Sequence, residues 1–182
     1  MKLLRTIRLD ASDTFVFEKA AEPGEWAVSG AFAFWGGDPG KLEGKARSAF
    51  RGGFLGIDSL GWSTLVQIVE ADDADRAHIL DALAQQLMKN FGAPDIEAAR
   101  AAAEEEVAFA ESLCSQPQDT LIAVHRSCED GNVHESFRTL RPRNGPKPLR
   151  AFSFMEVEGE GEVAPQAGDD VDLVALAGKE NR

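Results

Sequence analysis

The sequence predicts an α+β fold, in which a mostly antiparallel sheet has two long adjacent helices packed on one face and a short helix after the third strand. Alternating apolar segments lie before and after a central pair of helical segments, whereas a parallel sheet would alternate them with single helices. An Asp-Gly dipeptide at 130–131 separates two alternating segments, which indicates a tight antiparallel hairpin. An apolar content of 43% over 182 residues is sufficient for one sizeable core.

Three strands are predicted in the N-terminal part, at residues 3–9, 14–18 and 25–34. In the third of these segments the large side chains share one face and the small side chains share the other. We therefore expect it to pack closely against a helix or a neighbouring strand. A further strand is predicted at residues 62–71.

The short helix is predicted to begin at Asp38-Pro39, because aspartate caps free backbone amides and proline suits the first helical turn. Gly52-Gly53 is expected to end this helix.

The first long helix is predicted to run from a cap at Asp72 or Asp73 to Phe91. Asp95 is expected to open the second long helix, which reaches about Cys114.

The second long helix carries two apolar faces. One face has the spacing of a core stripe, and the other contains Ala102, Phe109 and Leu113. Two apolar faces indicate a helix that is covered on both sides, either within the domain or by another chain. Ala102, Phe109 and Leu113 are therefore candidate interface residues for another protein or for a second copy of the chain in a homodimer.

The hairpin is predicted from residues 120–126 and 133–140, which flank Asp130-Gly131. A two-residue loop sets three cross-strand pairs: Cys128 with Val133, Arg126 with Glu135, and Val124 with Phe137. This register predicts one apolar face that contains an ion pair. A last strand is predicted at residues 150–157.

Residues 1–158 are predicted to form a single domain, followed by an acidic, disordered tail at residues 159–182. The net charge of −12 argues against nucleic-acid binding, which depends on clustered lysine and arginine. No apolar run is long enough to cross a membrane, and the charged N-terminal residues do not fit a secretory signal. We therefore expect a cytoplasmic protein.

The segment from residue 35 to residue 57 reverses the charge of the chain. It contains seven of the 17 glycines, and its four cations against two anions give +2 in a chain of −12. Such a local reversal favours contact with an anionic ligand or partner; the alternative is a capped amphipathic helix with a solvated charged face. The candidate ligand-binding residues are Trp35, Lys41, Lys45, Arg47, Arg51 and Trp62.

Known phosphate-binding and catalytic patterns are incomplete in this sequence. A phosphate loop needs a glycine where Pro39 stands and a serine or threonine where Ala46 stands. A serine nucleophile elbow at residues 56–61 would need a glycine where Ile57 stands. We therefore assign no catalytic residues and expect no cofactor, and the sequence favours a protein that is not an enzyme.

His125, Cys128 and His134 form the one cluster of potential metal ligands in the sequence. The hairpin register places the two histidines on one face and Cys128 on the other, so no metal site is expected. Cys114 and Cys128 both fall at positions that should face the core, where thiols behave as small hydrophobic groups.

Four stretches of the chain resemble a family of small uncharacterised proteobacterial proteins, a domain of unknown function. They are residues 32–35 (Phe-Ala-Phe-Trp), residues 44–56, residues 91–94 (Phe-Gly-Ala-Pro) and residues 135–138 (Glu-Ser-Phe-Arg). The resemblance covers most of residues 1–158. Members of that family are encoded near accessory proteins for oxidoreductases, including a lipoate-ligase-like protein, so the resemblance implies an accessory role and no catalytic residues.

The sequence therefore favours a non-catalytic binding or assembly protein whose partner is another protein or a second copy of itself. An alternative is a small enzyme or sensor that binds an anionic metabolite at residues 35–57. A second alternative, an acidic chaperone, rests only on size, acidity and the α+β pattern.

Overall fold

The α+β prediction is confirmed by a computed structural model that describes residues 1–142 and 154–157. The predicted tail at 159–182 and the first residues of the predicted last strand lie outside the described residues. The elements in chain order are β1 (Lys2–Ile7), α1 (Ser12–Val16), β2 (Trp26–Val28), α2 (Gly44–Gly52), β3 (Phe54–Gly56), β4 (Trp62–Ser63), β5 (Leu65–Glu70), α3 (Asp73–Asn90), α4 (Ile96–Ser112), β6 (Leu121–Glu129), β7 (Asn132–Pro142) and β8 (Phe154–Val157).

The described strands form one sheet of eight strands in the order β4-β3-β2-β1-β5-β6-β7-β8. Every neighbouring pair in that order is antiparallel. Helices α3 and α4 pack against each other, and α4 lies against β1 and β2. Buried side chains of both helices, including Leu83 and Val107, join those of the sheet in one hydrophobic cluster.

The caps of the two long helices are those that the sequence predicts. Asp72 accepts a hydrogen bond from the Asp75 amide at 2.8 Å, and the Asp75 carboxylate accepts one from the Asp72 amide at 3.1 Å. Asp95 accepts from the Ala98 amide at 2.8 Å. Within residues 1–142 and 154–157, neither these helices nor any other is long and apolar enough to cross a membrane.

The hairpin prediction is also confirmed. Strands β6 and β7 pair in the predicted register around Asp130-Gly131, with Arg126 opposite Glu135 and Val124 opposite Phe137. The loop residues Asp130 and Gly131 both have positive φ angles, as this tight turn requires.

The strand predicted at residues 14–18 is wrong, because this part of the chain forms the short helix α1. The alternation of Phe15 and Phe17 is that of a strand, yet a tertiary contact decides the conformation. The buried Asp13 carboxylate accepts hydrogen bonds from the Thr64 hydroxyl at 2.5 Å and from the Thr64 amide at 3.2 Å. Thr64 also separates β4 from β5, so the predicted strand at 62–71 is two strands.

The strand predicted at residues 25–34 is wrong in its second half. It ends at Val28, and Gly30 has a φ of 79°. A Cβ atom at Gly30 would lie 2.5 Å from the Leu55 Cβ atom, so a glycine is needed both for the backbone angle and for the space. A 3-10 helix at Ala31–Phe34 follows.

The predicted short helix is present but is divided. Asp38 caps a 3-10 helix at Pro39–Lys41 by accepting from the Gly40 amide at 3.0 Å. Leu42 has an extended backbone conformation and ends this 3-10 helix, and α2 follows, with Ala49 and Phe50 as its buried residues.

Candidate anion-binding site

A cavity of about 250 Å³ lies between α2 and the second half of β6. In the part of the chain that the structure describes, its lining residues come from three segments, and none of them is an aspartate or a glutamate. They are Pro39 and Gly40, then Arg47, Phe50 and Arg51 of α2, and His125, Arg126, Ser127 and Cys128 of β6. The cavity therefore carries positive charge in a protein whose net charge is −12.

Arg47 and Arg51 supply the accessible charge of this cavity. They stand one helical turn apart, so both side chains project from the same side of α2. Both residues are exposed, and neither guanidinium has a hydrogen-bond or ion-pair partner among residues 1–142 and 154–157. A bound carboxylate or phosphate could take two parallel hydrogen bonds from either group.

Arg126 also borders the cavity, but its guanidinium is buried and is used by the protein itself. The side chain is 0% exposed. Its Nη1 atom donates to the carbonyl oxygens of Phe50 at 3.0 Å and Gly53 at 2.7 Å, both at the C-terminal end of α2. This end of a helix has unpaired carbonyls and a partial negative charge, which a cation satisfies. Arg126 therefore fixes α2 against β6 and so sets the width of the cavity.

The same guanidinium is held on its other side by Ser29 and Glu135. The Nε atom donates to Glu135 Oε1 at 2.7 Å, and Nη2 donates to the carbonyl and to the hydroxyl of Ser29, the latter at 3.0 Å. Ser29 in turn donates to Glu135 Oε1 at 2.5 Å. Burial lowers the pKa of Arg126, and the nearby Glu135 opposes this shift. The group keeps its charge at neutral pH because arginine titrates far above it.

Glu106 of α4 stands next to this network. Burial, together with the negative charge of Glu135, raises its pKa from 4.5 to about 7, while Arg126 acts in the opposite direction. The charge of Arg126 therefore acts on Glu106 as well as on its hydrogen-bond partner Glu135, and Glu106 is partly protonated near neutral pH.

The six residues predicted to bind a ligand are not gathered in one place. Arg47 and Arg51 line the cavity, whereas Lys41 forms an exposed ion pair with Asp38 at 3.4 Å. Lys45 is exposed on the first turn of α2 and does not line the cavity. Trp35 is 74% exposed, outside the cavity lining.

Trp62 has a packing role. Its ring stacks on Phe34 with 5.1 Å between centroids. The ring also fills the space beside two glycines, since Cβ atoms at Gly30 and Gly53 would lie 3.1 Å and 2.8 Å from it. Trp62 therefore supports the edge of the sheet by packing and does not line the cavity.

The three candidate interface residues lie on α4. Ala102 and Leu113 are half-buried and pack against the core. Phe109 is 38% exposed, and its ring contacts Phe137 of β7 in an edge-on geometry with 5.7 Å between centroids. The second apolar face of α4 is therefore covered in part by the sheet of the same chain, and Phe109 is its main exposed member.

The turn at residues 57–61 is built around a buried carboxylate. Glu25 accepts hydrogen bonds from the Ser59 hydroxyl at 2.5 Å, the Ser59 amide at 2.8 Å and the Asp58 amide at 3.0 Å. The Ser59 hydroxyl accepts in turn from the Gly61 amide at 2.9 Å. The Ser59 hydroxyl therefore stabilises this turn both as a donor and as an acceptor.

The two cysteines differ in their burial. Cys114 is buried, and burial raises its pKa to about 11, so its thiol stays protonated. Cys128 was expected in the core but is half-buried and lines the cavity. In the described part of the chain there is no group of three or more histidine, cysteine, aspartate or glutamate side chains able to hold a metal ion.

The β6 wall of the cavity could not be identified from the sequence. The predicted Arg126–Glu135 pair is present, but its contacts with α2 join residues 76 and 73 positions apart. The one available signal was an arginine at an inward position of a strand, between Val124 and Cys128. A buried arginine needs several acceptors, and those acceptors had to come from elsewhere in the fold.

Comparisons with known proteins give one match. Neither the curated proteins nor the solved structures that were compared with the chain match it. The family of unknown function DUF6505 matches residues 1–155, which include the cavity, the Arg126 network and every described strand except the end of β8. The chain belongs to this family of unknown function.

Proposed function

We propose that this protein is a binding protein and that its ligand presents an anionic group to the cavity between α2 and β6. The observation that carries the proposal is the pair of guanidinium groups of Arg47 and Arg51 beside the cavity; among residues 1–142 and 154–157 these groups have no partner, and no carboxylate lines the cavity. The protein gains little stability from such a pair, because exposed charges contribute little to folding. A ligand that carries a carboxylate or phosphate group satisfies both arginines.

Calorimetric titration with citrate and with inorganic phosphate tests this proposal. We expect saturable binding of at least one of the two anions that weakens as salt is added, because ions screen exposed charges. The double variant Arg47→Ala, Arg51→Ala should bind at least about tenfold more weakly, since a charge-assisted hydrogen bond contributes roughly 1.5–3 kcal/mol.

The matched control is Lys41→Ala, Lys45→Ala, which removes the same charge from the same segment but away from the cavity lining. It should bind like the parent protein. An equal loss in both double variants would mean that the anion responds only to overall charge, and the proposal would fail.

A second candidate function is assembly with another protein, or with a second copy of the chain, through α4. The observation in its favour is the 38% exposure of Phe109, beside half-buried Ala102 and Leu113. An exposed aromatic residue at the edge of an apolar strip is typical of an interface anchor. In this role the protein would act in the cytoplasm as an accessory protein.

Affinity purification from the native host, with sedimentation of the purified protein, tests the second function. Phe109→Asp should release a stoichiometric partner or convert a dimer to a monomer. Ala108→Asp is the control, because it adds the same charge at the exposed neighbouring position. A monomeric parent protein that recovers no partner would contradict this function.

A further inference from the structure

Strand β8 directs the chain that follows it toward the cavity. Val157, its last residue, pairs with Thr139 of β7, and Thr139 pairs with Ile122 of β6. Because both pairs of strands are antiparallel, β8 runs in the same direction as β6. The chain therefore leaves β8 level with Ile122, in the direction of the part of β6 where residues 125–128 line the cavity.

The segment after β8 has the charge that complements the cavity. Residues 158–178 contain six carboxylates and no lysine or arginine. The carboxylates form two groups along the sequence, which are Glu158, Glu160 and Glu162, and then Asp169, Asp170 and Asp172. At the cavity, Arg47 and Arg51 present exposed guanidinium groups that have no partner among residues 1–142 and 154–157. An acidic segment of the same chain is therefore an electrostatic match for these two arginines.

The length of chain after β8 decides which acidic group reaches the cavity. Adjacent strands lie about 4.8 Å apart and rise about 3.3 Å per residue, so the main chain of Val157 is roughly 16 Å from that of Arg126. Glu162 is five residues beyond Val157, and a fully extended chain of that length covers only about 17 Å. Asp169 is twelve residues beyond Val157, which allows up to about 40 Å. The second group therefore reaches the cavity without full extension of the chain.

We infer that the segment containing Asp169, Asp170 and Asp172 binds in the cavity of its own chain, with its carboxylates on Arg47 and Arg51. Such binding rests on the proposed anion-binding function and regulates it, because an external anion has to displace the segment. A segment on the same chain competes at a local concentration on the order of millimolar. Even a weak contact with the two arginines therefore occupies the cavity in most molecules.

Calorimetric titration with citrate and with inorganic phosphate compares the parent protein with the full-length variant Asp169→Asn, Asp170→Asn, Asp172→Asn, here called the tail variant. The tail variant should bind the anions at least about fivefold more tightly, because a site that is free in about one-fifth of the molecules loses that factor in apparent affinity.

The matched control is Glu18→Gln, Glu70→Gln, Glu97→Gln, which removes three charges from exposed positions outside the cavity lining. Its affinity for the anions should stay within about twofold of the parent value, because salt screens distant exposed charges. An equal gain in affinity in both triple variants would mean that the anions respond to overall charge, and the inference would be wrong.

A synthetic peptide with the sequence of residues 166–176 tests the contact directly when it is added to the tail variant. In NMR spectra, the Nε–H signals of Arg47 and Arg51 should shift and saturate, and excess phosphate should reverse the shift. A peptide with asparagine in place of its three aspartates should leave both signals unchanged. Adding Arg47→Ala and Arg51→Ala to the tail variant should weaken peptide binding by at least about tenfold, since charge-assisted hydrogen bonds are lost.

The outcomes distinguish this inference from the function on which it rests. If the anions bind equally to the parent and the tail variant, and the peptide leaves the Arg47 and Arg51 signals unchanged, the inference is wrong and the anion site stands. If neither the anions nor the peptide bind to the tail variant, both proposals are wrong. A difference between the parent and the tail variant that grows with protein concentration would place the segment on a second copy of the chain and would overturn binding within one chain.

Discussion

The Nη1 atom of Arg126 donates to the carbonyl oxygen of Gly53 at 2.7 Å and so joins the middle of the β6–β7 hairpin to the end of α2. The same atom donates to the Phe50 carbonyl at 3.0 Å. Two backbone acceptors at a helix end and one carboxylate, that of Glu135, thus share a single buried cation. This contact holds α2 against β6, and the cavity lies between them.

Replacing Arg126 with methionine should lower the free energy of unfolding by about 3–5 kcal/mol, because it removes the cation paired with the Glu135 carboxylate and the donor to the α2 carbonyls. Urea unfolding measures this loss. Arg51→Met is the matched control and should change the free energy of unfolding by no more than about 0.5 kcal/mol, since Arg51 is exposed and has no ion-pair partner among the described residues. A loss below about 1 kcal/mol for Arg126→Met would contradict the role given to this contact.

Replacing Glu106 with glutamine should make the protein more stable at alkaline pH. The folded state raises the pKa of Glu106 from 4.5 to about 7, so between these values the folded protein holds a proton that the unfolded chain releases. Stability linked to this group is therefore complete below about pH 4.5 and is lost as the pH rises to about 7.

Urea unfolding of the Glu106→Gln variant and the parent protein at pH 4.5, 6 and 8 measures this effect. The two proteins should be similar in stability at the lowest pH, and the variant should be more stable by on the order of 2–3 kcal/mol at the highest. A constant difference between them across the three pH values would show that Glu106 titrates normally.

Replacing Gly61 with alanine should destabilise the protein by about 1–3 kcal/mol or more, because the new methyl group would overlap backbone atoms. A Cβ atom there would lie 2.5 Å from the Ala20 carbonyl and the Ala21 amide nitrogen, and backbone cannot move aside as a flexible side chain can. Thermal unfolding gives the comparison. Gly37→Ala is the control, since the nearest atom to its Cβ position is 3.8 Å away. Equal melting temperatures for the two variants would show that the backbone near Ala20 moves to make room for the methyl group.

The parts of the fold that the sequence predicts correctly depend on neighbouring residues. The caps at Asp72 and Asp95 are made within four residues of the helix start. The hairpin register follows from the Asp130-Gly131 loop alone.

The errors lie where distant contacts decide the structure. Residues 14–18 alternate like a strand, but Asp13 is held by Thr64, 51 positions later, and the segment becomes α1. The long strand that was expected to reach Phe34 ends before Gly30, because Leu55 leaves room there only for a glycine. Neither contact has a local sequence pattern.

The same distinction between local and distant contacts applies to the candidate site. The local charge reversal directs attention to the segment that contains α2, and two of the six predicted residues, Arg47 and Arg51, line the cavity. Lys41, Lys45 and Trp62 share that segment or its flank but lie outside the lining, since helical phase and packing separate them. The β6 wall depends on the long-range contacts of Arg126, so no continuous stretch of the sequence predicts it.

Binding of an anion between Arg47 and Arg51 can be tested directly by NMR of the arginine Nε–H groups during a citrate titration. We expect the Nε–H signals of Arg47 and Arg51 to shift together and to saturate at one concentration, while the signal of the buried Arg126 moves little. Lys41→Ala, Lys45→Ala protein should give the same curves. Arginine signals that drift without saturation, to the same extent at Arg5 and Arg100 as at Arg47 and Arg51, would show that no anion site exists between these two residues.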